Sequence, residues 1–334
     1  MPNKPEMLEL PDQPAVLAKP DQPSMGNVPF LQHLEQVGQR QKVQYDLELQ
    51  GLRKQRIQQI QQKRNSQVIV YYSVDLLDYS DPQDIFEVLS CYPTAERLDL
   101  FLLSPGGYSG AAFKISRMFQ ELTDTLNGHF SILVPFYAKS AATILSLGAD
   151  EIIMGLPSEL GPIDPQLPTR EGAKALLALK DAIDYVKSEV ATNPETAQLF
   201  WPLINQIQLM ELGQYEREIS SAKQYAQQLL ASRMFKNEPD KAMAAAEKLT
   251  SAYKTHGYII DRLEARETLG LNIVDADPEL WTLMWELHKL YDLHIKKSIS
   301  ENTNQVKLIE SLHFLSVKIL NTANTFTSLD GGLS

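Results

Sequence analysis

The chain has 334 residues, a hydrophobic share of 43% and a formal net charge of -11, from 42 Asp and Glu against 31 Lys and Arg. That length and apolar content suffice for a sizeable core, while the acidic balance excludes a nucleic-acid surface, which needs clustered Lys and Arg. A single cysteine, Cys91, excludes an internal disulfide and, with no basic neighbour to activate it, reads as a small core residue.

Residues 1–28 carry Pro2, Pro5, Pro11, Pro14, Pro20 and Pro23 among polar residues, with too little apolar surface to offset the entropy of ordering, so a disordered tail is expected. No run reaches the roughly 18 to 20 apolar residues of a membrane span, and no signal-peptide core opens the chain. A cytoplasmic protein without an integral membrane segment is therefore expected. Residues 29–65 are rich in Gln, Glu, Lys and Arg, with Leu34, Val37, Val43, Leu47, Leu52, Ile57 and Ile60 spaced as a long helical arm lying on the core or on a partner subunit.

The core begins at Val68-Ile69-Val70-Tyr71-Tyr72, a β-branched and aromatic strand pattern. Ser80-Asp81-Pro82 then opens a helix whose buried face is Ile85, Val88 and Leu89. A second strand spans Leu98 to Leu103 and stops at Ser104-Pro105-Gly106-Gly107, and a helix resumes near Ser109. A third strand, Phe130 to Val134, leads into Ala138-Lys139-Ser140-Ala141-Ala142, and a fourth runs from Glu151 to Met154. Strand and helix alternate with short links, the pattern of an α/β layered fold with its site at the carboxyl ends of the strands.

Ser140 stands where a strand pattern gives way to a helical one. There it serves either as an ordinary N-cap or as a nucleophile beside free backbone N–H groups. The paired glycines favour the second use, because Gly106 and Gly107 permit a turn with outward N–H groups and no Cβ to block a carbonyl. Two such loops on neighbouring strands would share one substrate carbonyl. Gly107, helped by Gly106, and Ala141 would then supply the oxyanion hole while Ser140 attacks.

Leu103-Ser104-Pro105-Gly106-Gly107, Ala138 to Thr143, Leu147 to Gly155 and Leu160 to Gln166 together resemble the serine dehydrogenase proteinase family. That family belongs to the Clp protease/crotonase superfamily and is related to signal peptide peptidase A. The similarity covers residues 66–167 and returns near Thr255 to Asp275. It implies an α/β fold built as a Clp protease/crotonase-like spiral of β-β-α units with an added helical region. It also implies a polypeptide substrate, an acyl-enzyme on Ser140 and a homo-oligomer. In Clp proteases a histidine serves as base in the stretch matching Ser158 to Gln166, which here holds no histidine. Relatives of signal peptide peptidase A use a lysine some 40 to 50 residues after the serine, which points to Lys180 or Lys187, 40 and 47 residues on. Lys139 is set to contact substrate or Asp164. His256, in a segment resembling the family's late strand, is a further candidate with a structural alternative.

Residues 168–251 read as a helical insertion, helical throughout from Gln166 to Tyr253, with Phe200-Trp201 as a core pair or part of a peptide groove. The catalytic core is expected over 66–167 and 252–278, and 279–334 as a C-terminal helix and tail in which Lys307 to Leu320 pairs as a strand or docks as a helix. The histidines lack metal-ligand spacing, and no G-x-G-x-x-G loop is present, so neither a metal nor a cofactor is expected. The expected function is a serine endopeptidase with a lysine base. The alternatives are a catalytically silent Clp-fold assembly or adaptor protein and a crotonase-type acyl-thioester enzyme.

Overall fold

The structure, a computed structural model, describes residues 42–320 apart from 164–165, 170–171 and 205–208, so the expected tail at 1–28 and Asp164 lie outside the described residues. The strands β1 (Gln67–Ser73), β2 (Arg97–Leu103), β3 (His129–Val134), β5 (Glu151–Met154) and β10 (Ile273–Asp275) run parallel. Two antiparallel strands, β11 (Gln305–Glu310) and β12 (Leu315–Ile319), complete a seven-stranded sheet in the order β10-β5-β3-β2-β1-β11-β12.

Successive strand residues point to opposite faces, so each central strand feeds two cores. Ile69 and Tyr71, Leu98, Leu100 and Leu102, and Phe130 and Ile132 pack on one face. It is covered by α2 (Asp81–Leu89), α3 (Ser109–Asp124) and α4 (Ala141–Ser146), with α7 (Leu209–Ser232) and α8 (Pro239–Ser251). Val68, Val70, Tyr72, Phe101 and Leu103 face the other way, against Ile57 and Ile60 of α1 (Lys42–Arg64) and Leu280, Met284, Leu287 and Tyr291 of α10 (Pro278–Ser300). Burial on both faces is why these strands read as unbroken apolar runs.

A second, three-stranded sheet, β4-β6-β9, is made of β4 (Tyr137–Ala138), β6 (Glu159–Leu160) and β9 (Ile260–Asp261). Long strand, short strand and helix thus follow one another in β3-β4-α4, and an isolated bridge from Ser104 to Ala138 ties the end of β2 to the short strands.

Beyond β6 the chain departs from the expected all-helical run. Gln166–Thr169 (β7) pairs antiparallel with Gly172–Ala175 (β8) before α5 (Leu176–Thr192), α6 (Ala197–Ile204) and α7. Pro168 has no N–H for a helix and Gly172 gives it little support, so a hairpin takes their place. In α7 and α8, Ala222, Leu229, Leu230, Ala242 and Leu249 are buried in the main core. Arg233 donates to Asp124 and Thr123, at 2.6 Å each, and pairs with Asp150.

Two further readings are corrected, and for the segment after α10 the strand alternative is the one the structure takes. Cys91 is exposed, in the turn that follows the end of α2 at Leu89. Trp201 is 64% exposed and so is no core residue, while Phe200 meets Tyr185 edge-on. The segment after α10 forms two strands, and β11 extends the main sheet beside β1.

Lys307 of β11 is buried, with its Nζ 2.7 and 2.9 Å from the Asp81 carboxylate and 2.9 Å from the Leu76 carbonyl. Asp81 also accepts from the Tyr71 hydroxyl at 2.8 Å, the Asp78 N–H at 2.7 Å and Lys318 at 2.7 Å. A strand lysine is tolerated in this core because its charge meets a carboxylate at the start of α2.

Candidate active site

After β3 and β4 the chain turns into α4 at Ser140, whose backbone is held at φ 50° and ψ -115°. A non-glycine residue there costs about 1 to 3 kcal/mol, and sharp strand-to-helix turns of this kind present nucleophiles in hydrolase folds. Ser140 makes no side-chain capping bond, so the usual reason for a serine at a helix start is missing. The turn is fixed by its neighbours. Lys139 N–H donates to the Ser104 carbonyl at 3.0 Å, and Ala142 N–H to the Lys139 carbonyl at 2.8 Å. The Thr143 hydroxyl lies 2.8 Å from the Ala138 carbonyl and 2.9 Å from that of Gly161, and accepts from Gly161 N–H at 3.1 Å.

The glycine loop lies directly against this turn. Gly106 has φ +104°, and a Cβ there would sit 2.7 Å from both Ser140 Cβ and the Lys139 carbonyl oxygen, and 3.1 Å from Ala141 N. Gly107 has φ +146°, and a Cβ on it would collide with the backbone of Leu77. Leu77 N–H donates to the Gly106 carbonyl at 2.7 Å, and Tyr108 N–H to the Leu77 carbonyl at 2.9 Å. Backbone groups alternate along an extended segment, so the N–H of Gly107 faces away from Leu77. It bonds to no described residue, and neither does that of Ala141. The Gly106 N–H is turned to Ser104 Oγ at 3.1 Å. Of the three N–H groups, those of Gly107 and Ala141 are thus without a partner among the described residues, and Gly106 supplies space.

The candidate bases are placed unevenly. Lys139 Nζ lies 2.9 Å from Glu159 and 3.3 Å from the carbonyls of Leu160 and Tyr258. An ammonium engaged in that way is a tether between β4, β6 and the late segment. The same contact with Tyr258 draws the turn that holds His256, half-buried, towards the serine loop. Lys187 is 72% exposed on α5, 3.3 Å from Asp184, and has none of the burial that keeps a lysine base neutral. The Lys180 side chain lies outside the described residues.

Leu77 and Glu159 are the supporting residues that sequence reading missed. Glu159 stands on the short strand that answers Lys139, and Leu77 lies between strand and helix with no motif to mark it. The only cue for Leu77 was its place in the link that follows β1.

The family model for ClpP-like SDH-type serine proteinases matches residues 27–307. An uncharacterized protein of Methanocaldococcus jannaschii is 29% identical over 266 residues, covering 74% of this chain and 82% of that protein. A second uncharacterized protein of the same organism is 26% identical over 211 residues, and the chain spans 62% of its length. Among solved structures, a mutant of the 1510-N membrane-bound stomatin-specific protease in complex with a substrate peptide aligns with a TM-score of 0.40 and 15% identity, over 63% of this chain and 75% of that one. Another mutant of that protease aligns with a TM-score of 0.36, also at 15% identity, over 60% and 75%.

Proposed function

We propose, for a chain that belongs to the ClpP-like SDH-type serine proteinase family and has its α/β fold, that it is an endopeptidase acting through an acyl-enzyme on Ser140. The observation that carries this is the contact of two loops at one serine: a strained, uncapped Ser140 with the N–H groups of Ala141 and Gly107 both uncommitted beside it. Ser140 Oγ attacks the scissile carbonyl carbon as its proton passes to a base, and the carbonyl oxygen becomes an oxyanion accepting from Gly107 and Ala141. Each such donor is worth about 2.7 to 4 kcal/mol of barrier. The base then protonates the leaving amine as the C–N bond breaks, and water releases the acyl group by the reverse proton path.

For the base we assign Lys180. It has the sequence separation from Ser140 that the related lysine-dependent peptidases lead one to expect, whereas Lys187 is solvated and Lys139 is engaged with Glu159. The chain would work as a homo-oligomer in the cytoplasm, and no described helix is long and apolar enough to cross a membrane.

Hydrolysis of an unfolded protein such as casein by wild type and by Ser140→Ala tests the reading. Loss of turnover in the variant supports it, and turnover equal to wild type refutes it. A protein inactive in both forms would favour the silent assembly module.

A further inference from the structure

Immediately after Gly107 the chain presents an aromatic surface that the hydrolytic chemistry does not use. The Tyr108 ring lies 4.8 Å from that of Tyr79, tilted by 30°. Tyr79 is 70% and Tyr108 49% exposed, unusual for large rings beside a buried turn. Gly110, at the start of α3, leaves a gap below them: the position a Cβ would take is 3.7 Å from the Tyr79 hydroxyl and 3.9 Å from that of Tyr225. Tyr225, on α7, is stacked on Phe113 with 4.5 Å between centroids, so its hydroxyl is held over that gap. Glu218, seven residues earlier on α7 and on the same helix face, is exposed and has no ion-pair partner among the described residues. Burial, and next the Glu218 carboxylate, raise the Tyr79 hydroxyl above its ordinary range, as expected when the two groups are neighbours.

We infer that Tyr79, Tyr108, Tyr225 and Glu218 form a subsite for a lysine or arginine side chain of the polypeptide substrate. The inference rests on the peptidase reading for the identity of the ligand. Ring faces are electron-rich, phenol oxygens accept hydrogen bonds, and a carboxylate without a partner completes a set of groups that a cation satisfies together. An aliphatic side chain would use the rings alone, and an acidic one would be repelled by Glu218. The net charge of -11 adds long-range attraction for a basic segment. Because Tyr108 adjoins Gly107 directly, the basic residue would lie next to the scissile bond.

The test uses the full chain with Ser140→Ala, so that binding is read without turnover. Fluorescein-labelled peptides carry Arg, Leu or Glu at one position, walked through the sequence, and affinity is read by anisotropy. At one register the Arg peptide is expected to bind about fivefold tighter than the Leu peptide. Adding Glu218→Gln, a surface change, should at least halve that ratio, and Tyr108→Leu should bring it close to one. Equal affinities at every register, tightest binding of the Leu peptide, or a ratio that Glu218→Gln leaves unchanged would overturn the subsite. Labelling of Ser140 in the wild type by a fluorophosphonate keeps the two readings apart. A labelled serine without basic preference removes only the subsite, and basic preference with an unreactive serine removes only the peptidase.

Discussion

Gly106 rests on Ser140: the space where a Gly106 side chain would begin lies 2.7 Å from the serine Cβ, so the glycine loop and the serine turn can meet only while that residue has no side chain. Gly106→Ala should push the serine turn out of place, and Gly107→Ala should push its loop off Leu77. Each is expected to lower peptide hydrolysis by about a hundredfold or more, the loss that follows removal of an oxyanion donor. Steady-state kinetics beside circular dichroism of the two variants checks this. Unchanged kcat in a folded Gly106→Ala protein would mean that the contact does not matter to catalysis.

The Lys307–Asp81 pair supports the same loop from behind, because Lys307 also holds the Leu76 carbonyl, one residue before the Leu77 that flanks Gly107. Lys307→Met leaves the buried Asp81 charge with Lys318 as its remaining cation. A loss of about 3 kcal/mol of folding stability is expected, the lower end of the range for a broken buried pair. Adding Asp81→Asn should restore part of it. Urea unfolding of the single and double variants measures both.

Two acid transitions should be separable. Burial lowers His288 from 6.5 to about 4, with the Tyr72 hydroxyl 3.0 Å from its Nδ1. As pH falls, the unfolded chain takes up this proton first, so stability is full above 6.5 and drains between 6.5 and about 4. The loss is on the order of 3 kcal/mol. Glu151 is held down at about 2 by His129, Arg64 and Ser131, and its contribution, complete above 4.5, is lost between 4.5 and about 2. Urea unfolding across pH should show the upper slope disappear in His288→Gln and the lower slope remain.

A lysine base makes a different prediction for the kinetics. Lys180→Ala should reduce kcat by about a hundredfold or more, the contribution of general-base catalysis. Lys187→Ala, a change on a solvated helix face, should stay within about twofold of wild type. The reverse ranking would move the base to Lys187, and two wild-type rates would place it elsewhere.

The central strands were readable because two-sided burial makes Val68–Tyr72 and Leu98–Leu103 unbroken apolar runs. The meeting of the serine and glycine loops was readable because both turns need small residues at fixed places. What escaped depends on partners distant in the chain. Lys307 looks like a polar edge residue until Asp81, 226 positions earlier, is placed against it. Cys91 and Trp201 are of residue types common in cores, and only the place of one in the turn after α2 and of the other on the outer face of α6 exposes them. Gly106 looked like a helper donor, because nothing in the sequence shows its N–H turned to Ser104 Oγ.

The most direct measurement is intact-mass and peptide-mapping analysis of wild type and Ser140→Ala after prolonged treatment with a fluorophosphonate. One adduct on the wild type, mapped to Ser140, with none on the variant is the predicted result. Equal labelling of the two proteins would contradict it and take Ser140 out of the mechanism.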